Sequence, residues 1–230
     1  MIAYILRRLA YTVLLLIGGA LLLFADPDSS AQPQGRLGFG LRAGPATYTQ
    51  DITELSFIDG NLGPTLDFEI LYEINEYVTL GFDLGWESHN VDLRLPAKDV
   101  SLGRITTISL LPCVEFHILG GQTVSPYMFF GLGYSMNAFG TSDDSGAISP
   151  YLDLGVRSSK DLGVEDAFSF KIGIGADFFV ADTFALNLDL GWKYNPGDLS
   201  VRLNKYQTAS FSTDESVLTA LFGFRLLFPL

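Results

Sequence analysis

The sequence predicts an all-β fold: an eight-stranded antiparallel up-and-down transmembrane β-barrel, preceded by an N-terminal signal helix. Three observations predict it. After Gln34, large apolar residues alternate with polar residues, charges and glycine in eight separate stretches, which is the period of a strand. The links between those stretches are alternately short and long. Only one run is apolar enough to cross a bilayer as a helix, and it lies at the extreme N-terminus. A membrane-embedded remainder must therefore be a closed barrel, because lipid satisfies no free backbone group.

Composition narrows the class. Charged residues make up 17% of the 230 residues and the net charge is −12. An acidic chain cannot neutralise a phosphate backbone, so nucleic acid is excluded as a partner. With 48% hydrophobic residues and 18 Phe, the chain is too apolar for disorder. A single cysteine, Cys113, excludes an intramolecular disulfide and a Cys-based zinc or iron–sulfur site. Two histidines, His89 and His117, supply little for other metals. No cofactor is expected.

The elements follow in order. Arg7 and Arg8 precede an apolar run from Leu9 to Ala25, then Asp26 to Pro33. Positive flank, apolar run and small-residue end form a secretory signal pattern. Ser29 and Ala31 place the cut after Ala31, giving a signal peptide over 1–31 and a barrel over 32–230. The segment carries two bases and two acids, so 14 − 2 = 12 basic and 26 − 2 = 24 acidic residues remain, again −12.

The first strand sets Leu37, Phe39 and Leu41 against Gly38, Gly40 and Arg42. The second sets Leu66, Phe68, Ile70 and Tyr72 against Asp67, Glu69, Leu71 and Glu73. The third runs Val78, Leu80, Phe82, Leu84, Trp86 against Thr79, Gly81, Asp83, Gly85, Glu87. The fourth runs Ile108, Leu110, Val114, Phe116 against Ser109, Cys113, Glu115, His117, with Leu111 and Pro112 blurring the pattern. The fifth sets Met128, Phe130, Leu132, Tyr134 and Met136 against glycines and Ser135. The sixth is the longest alternation, Phe168 to Val180, with Lys171 and Asp177 on its polar side. The seventh runs Phe184 to Tyr194, with Asn187, Asp189 and Lys193 opposite. The eighth runs Leu218 to Phe228 with Arg225 opposite.

Short links fall around Asn75-Glu76, Gly120-Gly121 and Ala181-Asp182, and long ones at about 46–62, 94–101, 139–167 and 196–214. That is the pattern of a bacterial outer-membrane barrel, with tight periplasmic turns and large external loops. An even strand number puts both termini on the periplasmic side. Trp86, Tyr134 and Trp192 face the apolar side nine or ten residues beyond a short turn. At ~3.3 Å per residue and a ~45° tilt they stand roughly 20 Å up, as an outer aromatic girdle.

By parity the lumen receives Arg42, Asp67, Glu69, Glu73, Asp83, Glu87, Glu115, His117, Lys171, Asp177, Asp189, Lys193 and Arg225, eight acids and four fixed bases beside one histidine. Eight strands leave room for side chains or one small ligand. These charges must pair, either as a salt-bridged plug or as a polar floor beneath a binding or passage site. Arg42 and Arg225 should be neighbours, each with a carboxylate on an adjoining strand. Catalysis is not expected. Ser88 and His89 are adjacent on a strand and point to opposite faces. His117 sits near the periplasmic end with no evident serine partner. Glu87-Ser88-His89-Asn90 does not match the His-x-Ser-Asn order of eight-stranded lipid A deacylases.

Four segments carry a family likeness. Ile105 to Pro112 (ITTISLLP), Ser125 to Tyr134 (SPYMFFGLGY), Asp166-Ala-Phe168 with Gly173 to Phe178, and Phe184 to Asn187 followed by Trp192 occur in one order. Over about residues 105–195 the chain resembles the outer-membrane protein W family, which includes alkane-uptake relatives. The resemblance implies passive passage of small hydrophobic molecules. External loops would shape an apolar pocket, and a gap in the wall would release the solute sideways into the membrane. Loop 139–167 is the candidate, with Ile148, Tyr151, Leu152, Leu154, Val156 and Leu162 either lining the pocket or packing the loop on the rim. Implied partners are outer-membrane lipid and lipopolysaccharide, a small hydrophobic solute, and periplasmic chaperones with the barrel-assembly machinery. The other reading is a structural or adhesive surface barrel whose loops bind a partner or lipopolysaccharide.

Overall fold

A computed structural model describes residues 35–49, 58–94, 99–119, 123–141, 162–204 and 207–230. Residues 1–31, expected as a signal peptide, and residues 142–161, within the link expected at 139–167, lie outside them. The described strands are β1 (Arg36–Tyr48), β2 (Ile58–Gly60), β3 (Gly63–Asn75), β4 (Val78–Arg94), β5 (Asp99–His117), β6 (Val124–Thr141), β7 (Leu162–Val164), β8 (Ala167–Ala181), β9 (Phe184–Asn204) and β10 (Gln207–Pro229). Eight of them, all but β2 and β7, form one antiparallel ring. Each pairs with its chain neighbour, and β10 pairs with both β9 and β1, which closes the barrel. Closure removes the free sheet edges that lipid could not satisfy. The shortest ring strand has 13 residues, more than the ~9–11 that a tilted strand needs to cross a bilayer.

The tight turns have local causes. Asn75 Oδ1 accepts from the backbone N–H groups of Tyr77 and Val78, both at 2.9 Å, an Asx turn that reverses the chain between β3 and β4. At the same end Leu227 N donates to Thr183 O at 2.9 Å and Leu230 N to Gly35 O at 3.0 Å, so both ends of the ring are tied where the turns are short.

Burial is inverted relative to a soluble sheet. On β3, Leu66, Phe68 and Ile70 are 40–43% exposed, whereas Asp67 and Glu69 between them are 6% and 0% exposed. A water-soluble sandwich hides its apolar face; this barrel hides its charges and turns its apolar face outward.

Some links differ from the sequence reading. The stretch 196–214 is not a loop: β9 and β10 stay paired to Asn204↔Gln207, through Pro196↔Asp214. Cross-strand pairing with β10 carries β9 through Pro196 and Gly197. The link expected at 94–101 is also shorter, since Arg94 and Asp99 are already cross-strand partners. The two three-residue strands extend the sheet at the same end, β2 on β4 and β7 on β9. The alternation that looked blurred at Leu111 and Pro112 runs through unbroken, with Leu111 inside at 2% exposure. Pro112 has no N–H to donate, and the β5–β6 ladder passes from Leu110↔Tyr134 to Cys113↔Gly131 without a pair between them.

Candidate functional site

The lumen is layered along the barrel axis. Its most charged layer gathers a charged side chain from nearly every ring strand, because inward positions recur at every second residue. Arg225 of β10 is the hub. Its Nε and Nη2 donate to Glu69 Oε1 and Oε2 at 2.6 and 3.1 Å. Its Nη2 and Nη1 donate to Glu115 Oε1 and Oε2 at 2.6 and 3.0 Å. Nη1 also donates to Asp177 Oδ2 at 2.7 Å, and the Tyr127 ring lies 4.9 Å from the guanidinium carbon. These carboxylates sit on β3, β5 and β8. Arg225 thus pairs across the lumen and not with an adjoining strand, because its long side chain reaches the barrel axis.

Arg42 of β1 donates to Asp189, and to Asp83 Oδ2 at 3.2 Å. It also lies 3.1 Å from Glu69 and 3.6 Å from Asp67, both on adjoining β3. The two arginines are neighbours, facing Gly223 and Gly40 across the β1–β10 ladder. Lys171 donates to Asp67 at 2.7 Å and lies 3.5 Å from Asp83. Lys193 donates to Glu87, and to Ser109 at 3.1 Å. Four bases thus hold seven carboxylates: Asp67, Glu69, Asp83, Glu87, Glu115, Asp177 and Asp189. Glu73, the eighth acid, pairs with Arg36 at the short-turn rim instead.

Glycine makes room for this layer. A Cβ on Gly40 would sit 2.1 Å from Glu69 Oε1, and one on Gly175 would sit 2.1 Å from Asp189 Oδ1. Tyr127, 1% exposed, donates its hydroxyl to Asp189. Asn187 Nδ2 donates to Tyr127 Oη and Asp177 Oδ1, both at 2.7 Å.

Toward the long-link end the charges give way to hydroxyls and amides. Ser109, Ser135 and Ser169 follow one another at 3.0 and 2.7 Å, and Ser169 donates to Asn195 at 2.8 Å. Thr107 donates to Asn137 at 2.8 Å. Beyond this layer Ala46, Val91, Ile105 and Val217 form a buried apolar wall. Between the charge clusters lies a void of about 20 Å³ bordered by Asp67, Asp83, Glu87, Lys171 and Lys193, large and polar enough for one water. A larger cavity of about 440 Å³ opens at the short-turn end, between Arg36, Glu73, Thr79, His117, Ser125 and Phe179.

His117 does have a serine partner, contrary to the sequence reading. Its Nδ1 lies 2.9 Å from Ser125 Oγ, and its Nε2 lies 3.5 Å from Glu115. Ser125 Oγ donates to Leu119 O at 3.1 Å, so its proton is turned away from the imidazole. That is the reverse of what activates a nucleophile. Among the described residues no three His, Cys, Asp or Glu side chains gather as metal ligands.

The three girdle residues stand on the outward side. Trp86 is 40% exposed, Trp192 packs on Phe170 with ring centroids 5.3 Å apart, and the Tyr134 hydroxyl donates to Asp166 at 3.3 Å. Of the loop residues, Ile148, Tyr151, Leu152, Leu154 and Val156 lie outside the described residues. The backbone of Leu162 opens β7 opposite Val201. The sequence reading missed Tyr127 and the hydroxyl–amide layer. Both occupy inward positions that parity alone identifies, but Tyr127 and Phe129 look apolar and were not sorted with the charges.

The model of the outer membrane protein beta-barrel domain matches residues 14–220. The crystal structure of the outer membrane protein OprG from Pseudomonas aeruginosa is similar at a TM-score of 0.70 and 13% identity, over 87% of this chain and 98% of that one. The solid-state NMR structure of AlkL in lipid bilayers is similar at a TM-score of 0.55 and 17% identity, over 89% and 96%. Neisserial surface protein A is similar at 0.50 and 13%, over 84% and 97%. At these identities the likeness is one of fold, that of an outer-membrane β-barrel. No curated protein sequence matches.

Proposed function

The chain belongs to the family of outer membrane protein beta-barrel domains, an outer-membrane barrel of Gram-negative bacteria, and on that footing we propose that it lets small apolar molecules enter the membrane sideways. The observation that carries this reading is the closed lumen. Arg42, Arg225, Glu69 and Asp189 are 0–2% exposed and held by ion pairs. An apolar solute cannot displace them without leaving buried charges unpaired, at about 3–5 kcal/mol for each broken pair. Straight passage is therefore closed, and a solute that enters from the long-link end must leave through the wall.

The wall supplies a seam near that end. Pro45 of β1 faces Pro64 of β3, and neither has an N–H to give the ladder. On its other flank β1 has no pair with β10 between Ala43↔Phe222 and Ala46↔Thr219. Ala46, next to the seam, belongs to the buried apolar wall. In this reading the short turns and both termini are periplasmic, and the loop residues from Ile148 to Val156 form the outer part of the pocket. The first 31 residues are removed on export.

The seam can be locked. With Cys113→Ser as background, Pro45→Cys and Pro64→Cys place two thiols on facing, outward positions. Oxidation should slow apolar uptake into proteoliposomes several-fold, and reduction should restore it. Deleting 145–160 should slow uptake as well. Rates that ignore both the lock and the deletion would remove the sideways pocket.

One observation favours the adhesive alternative. Among the described residues β9 and β10 continue as a paired ribbon beyond Val217, the last β10 residue paired with β1, and such a ribbon is a surface on which a partner could dock. A barrel of that kind would leave apolar uptake at the protein-free rate.

A further inference from the structure

We infer that His89 Nε2 is an open hydrogen-bond acceptor in the apolar wall above the charged layer, and that the site selects apolar molecules bearing one hydroxyl, such as phenols and alcohols. This rests on the reading that apolar molecules enter from the long-link end. His89 is 0% exposed, at an inward position of β4. Its ring lies 4.6 Å from the Tyr48 ring, and Ile105 is its partner on β5. Val217 pairs with Tyr48 across β10 and β1. Ala46, Ile105 and Val217 are each no more than 1% exposed, so the imidazole is set in an apolar arc.

The tautomer follows from its partner. Nδ1 lies 3.1 Å from the backbone carbonyl of Asn61, and a carbonyl can only accept. Nδ1 therefore carries the proton, and the neutral ring offers a lone pair at Nε2. Asn61 is itself fixed, its N–H donating to Asn90 O at 2.9 Å. Nε2 is buried and has no hydrogen-bond partner among the described residues. Buried polar atoms are nearly always satisfied, and an acceptor left open among apolar side chains favours a ligand that brings one O–H. Ethers and hydrocarbons leave the acceptor open. An ionised carboxylate also has no proton to give, and it meets the acid excess of the layer below.

The test uses the full barrel in nanodiscs with ¹⁵N-labelled histidine and two probes of nearly one shape, 4-butylphenol and its methyl ether 4-butylanisole. His89 and His117 are the two histidines; His89→Gln and His117→Gln variants assign their signals. The phenol should bind about five- to tenfold tighter than the ether, the difference one hydrogen bond makes, and should move the Nε2 signal of His89. His89→Phe, which keeps a ring against Tyr48, should bind both probes equally. Equal binding by the wild-type barrel, or a shift at His117 alone, overturns the hydroxyl preference and leaves sideways apolar passage standing. Binding of neither probe overturns both. The wild-type comparison stands even where a variant does not fold.

Discussion

Arg225→Ala should lower, by well over ten degrees, the temperature at which the barrel loses its folded mobility in unboiled SDS gels. One guanidinium holds Glu69, Glu115 and Asp177, which reach it from three different strands. Removing it leaves three carboxylates facing one another in a layer where both hub and partners are at most 3% exposed. Breaking a buried pair from one side costs about 3–5 kcal/mol, and here one deletion breaks three. Arg225→Lys should recover only part of the loss, because an ammonium is a point charge and cannot fork to several carboxylates at once. Truncating the acids together with the arginine should cost less than the arginine alone, because no charge is then stranded. An unchanged transition in Arg225→Ala would remove the hub from the account.

Gly175→Ala should destabilise the barrel by disturbing its charged layer. The new Cβ would lie 2.1 Å from Asp189 Oδ1 and 2.5 Å from Tyr127 Cζ. Asp189 is the carboxylate that Arg42 and Tyr127 both grip, so the methyl pushes it off two partners at once. Overpacking costs about 1–3 kcal/mol and the loosened charge adds to it. Gly131→Ala is the matched control, since its Cβ would meet nothing nearer than 3.5 Å. The two variants should differ clearly in the same gel assay; equal transitions would show that the charged layer tolerates displacement.

Both variants act on a layer whose members the sequence names and whose wiring it does not. Parity assigns Arg42, Asp67, Glu69, Lys171 and Asp189 to one face because a strand repeats every second residue, whatever it packs against. Inward or outward is then decided by which face is apolar, and Phe68 and Ile70 on the lipid side settle that for β3. Partnership across the lumen depends on strand tilt, register and side-chain reach, none of which a single strand records. Arg225 therefore looked bound to an adjoining strand, and it pairs with strands farther round the ring. His117 and Ser125 meet across the β5–β6 turn at a separation of 8 residues, a contact that register creates. The link expected at 196–214 differs for a related reason: the apolar alternation ends at Tyr194, while β10 keeps pairing with β9 beyond it. Residues 148–156, expected to line an apolar pocket, lie outside the described residues.

Under the proposed function the lumen is closed to polar solutes and the wall passes apolar ones. Vesicles with lipopolysaccharide in the outer leaflet, with and without the barrel, test it most directly. The measurement is the rate at which N-phenyl-1-naphthylamine, an apolar dye that brightens in lipid, enters the membrane, followed beside release of entrapped glucose. The wild-type barrel should speed dye entry several-fold and leave glucose release at the protein-free rate. Glucose release rising with the dye, or dye entry unchanged by the barrel, would contradict it.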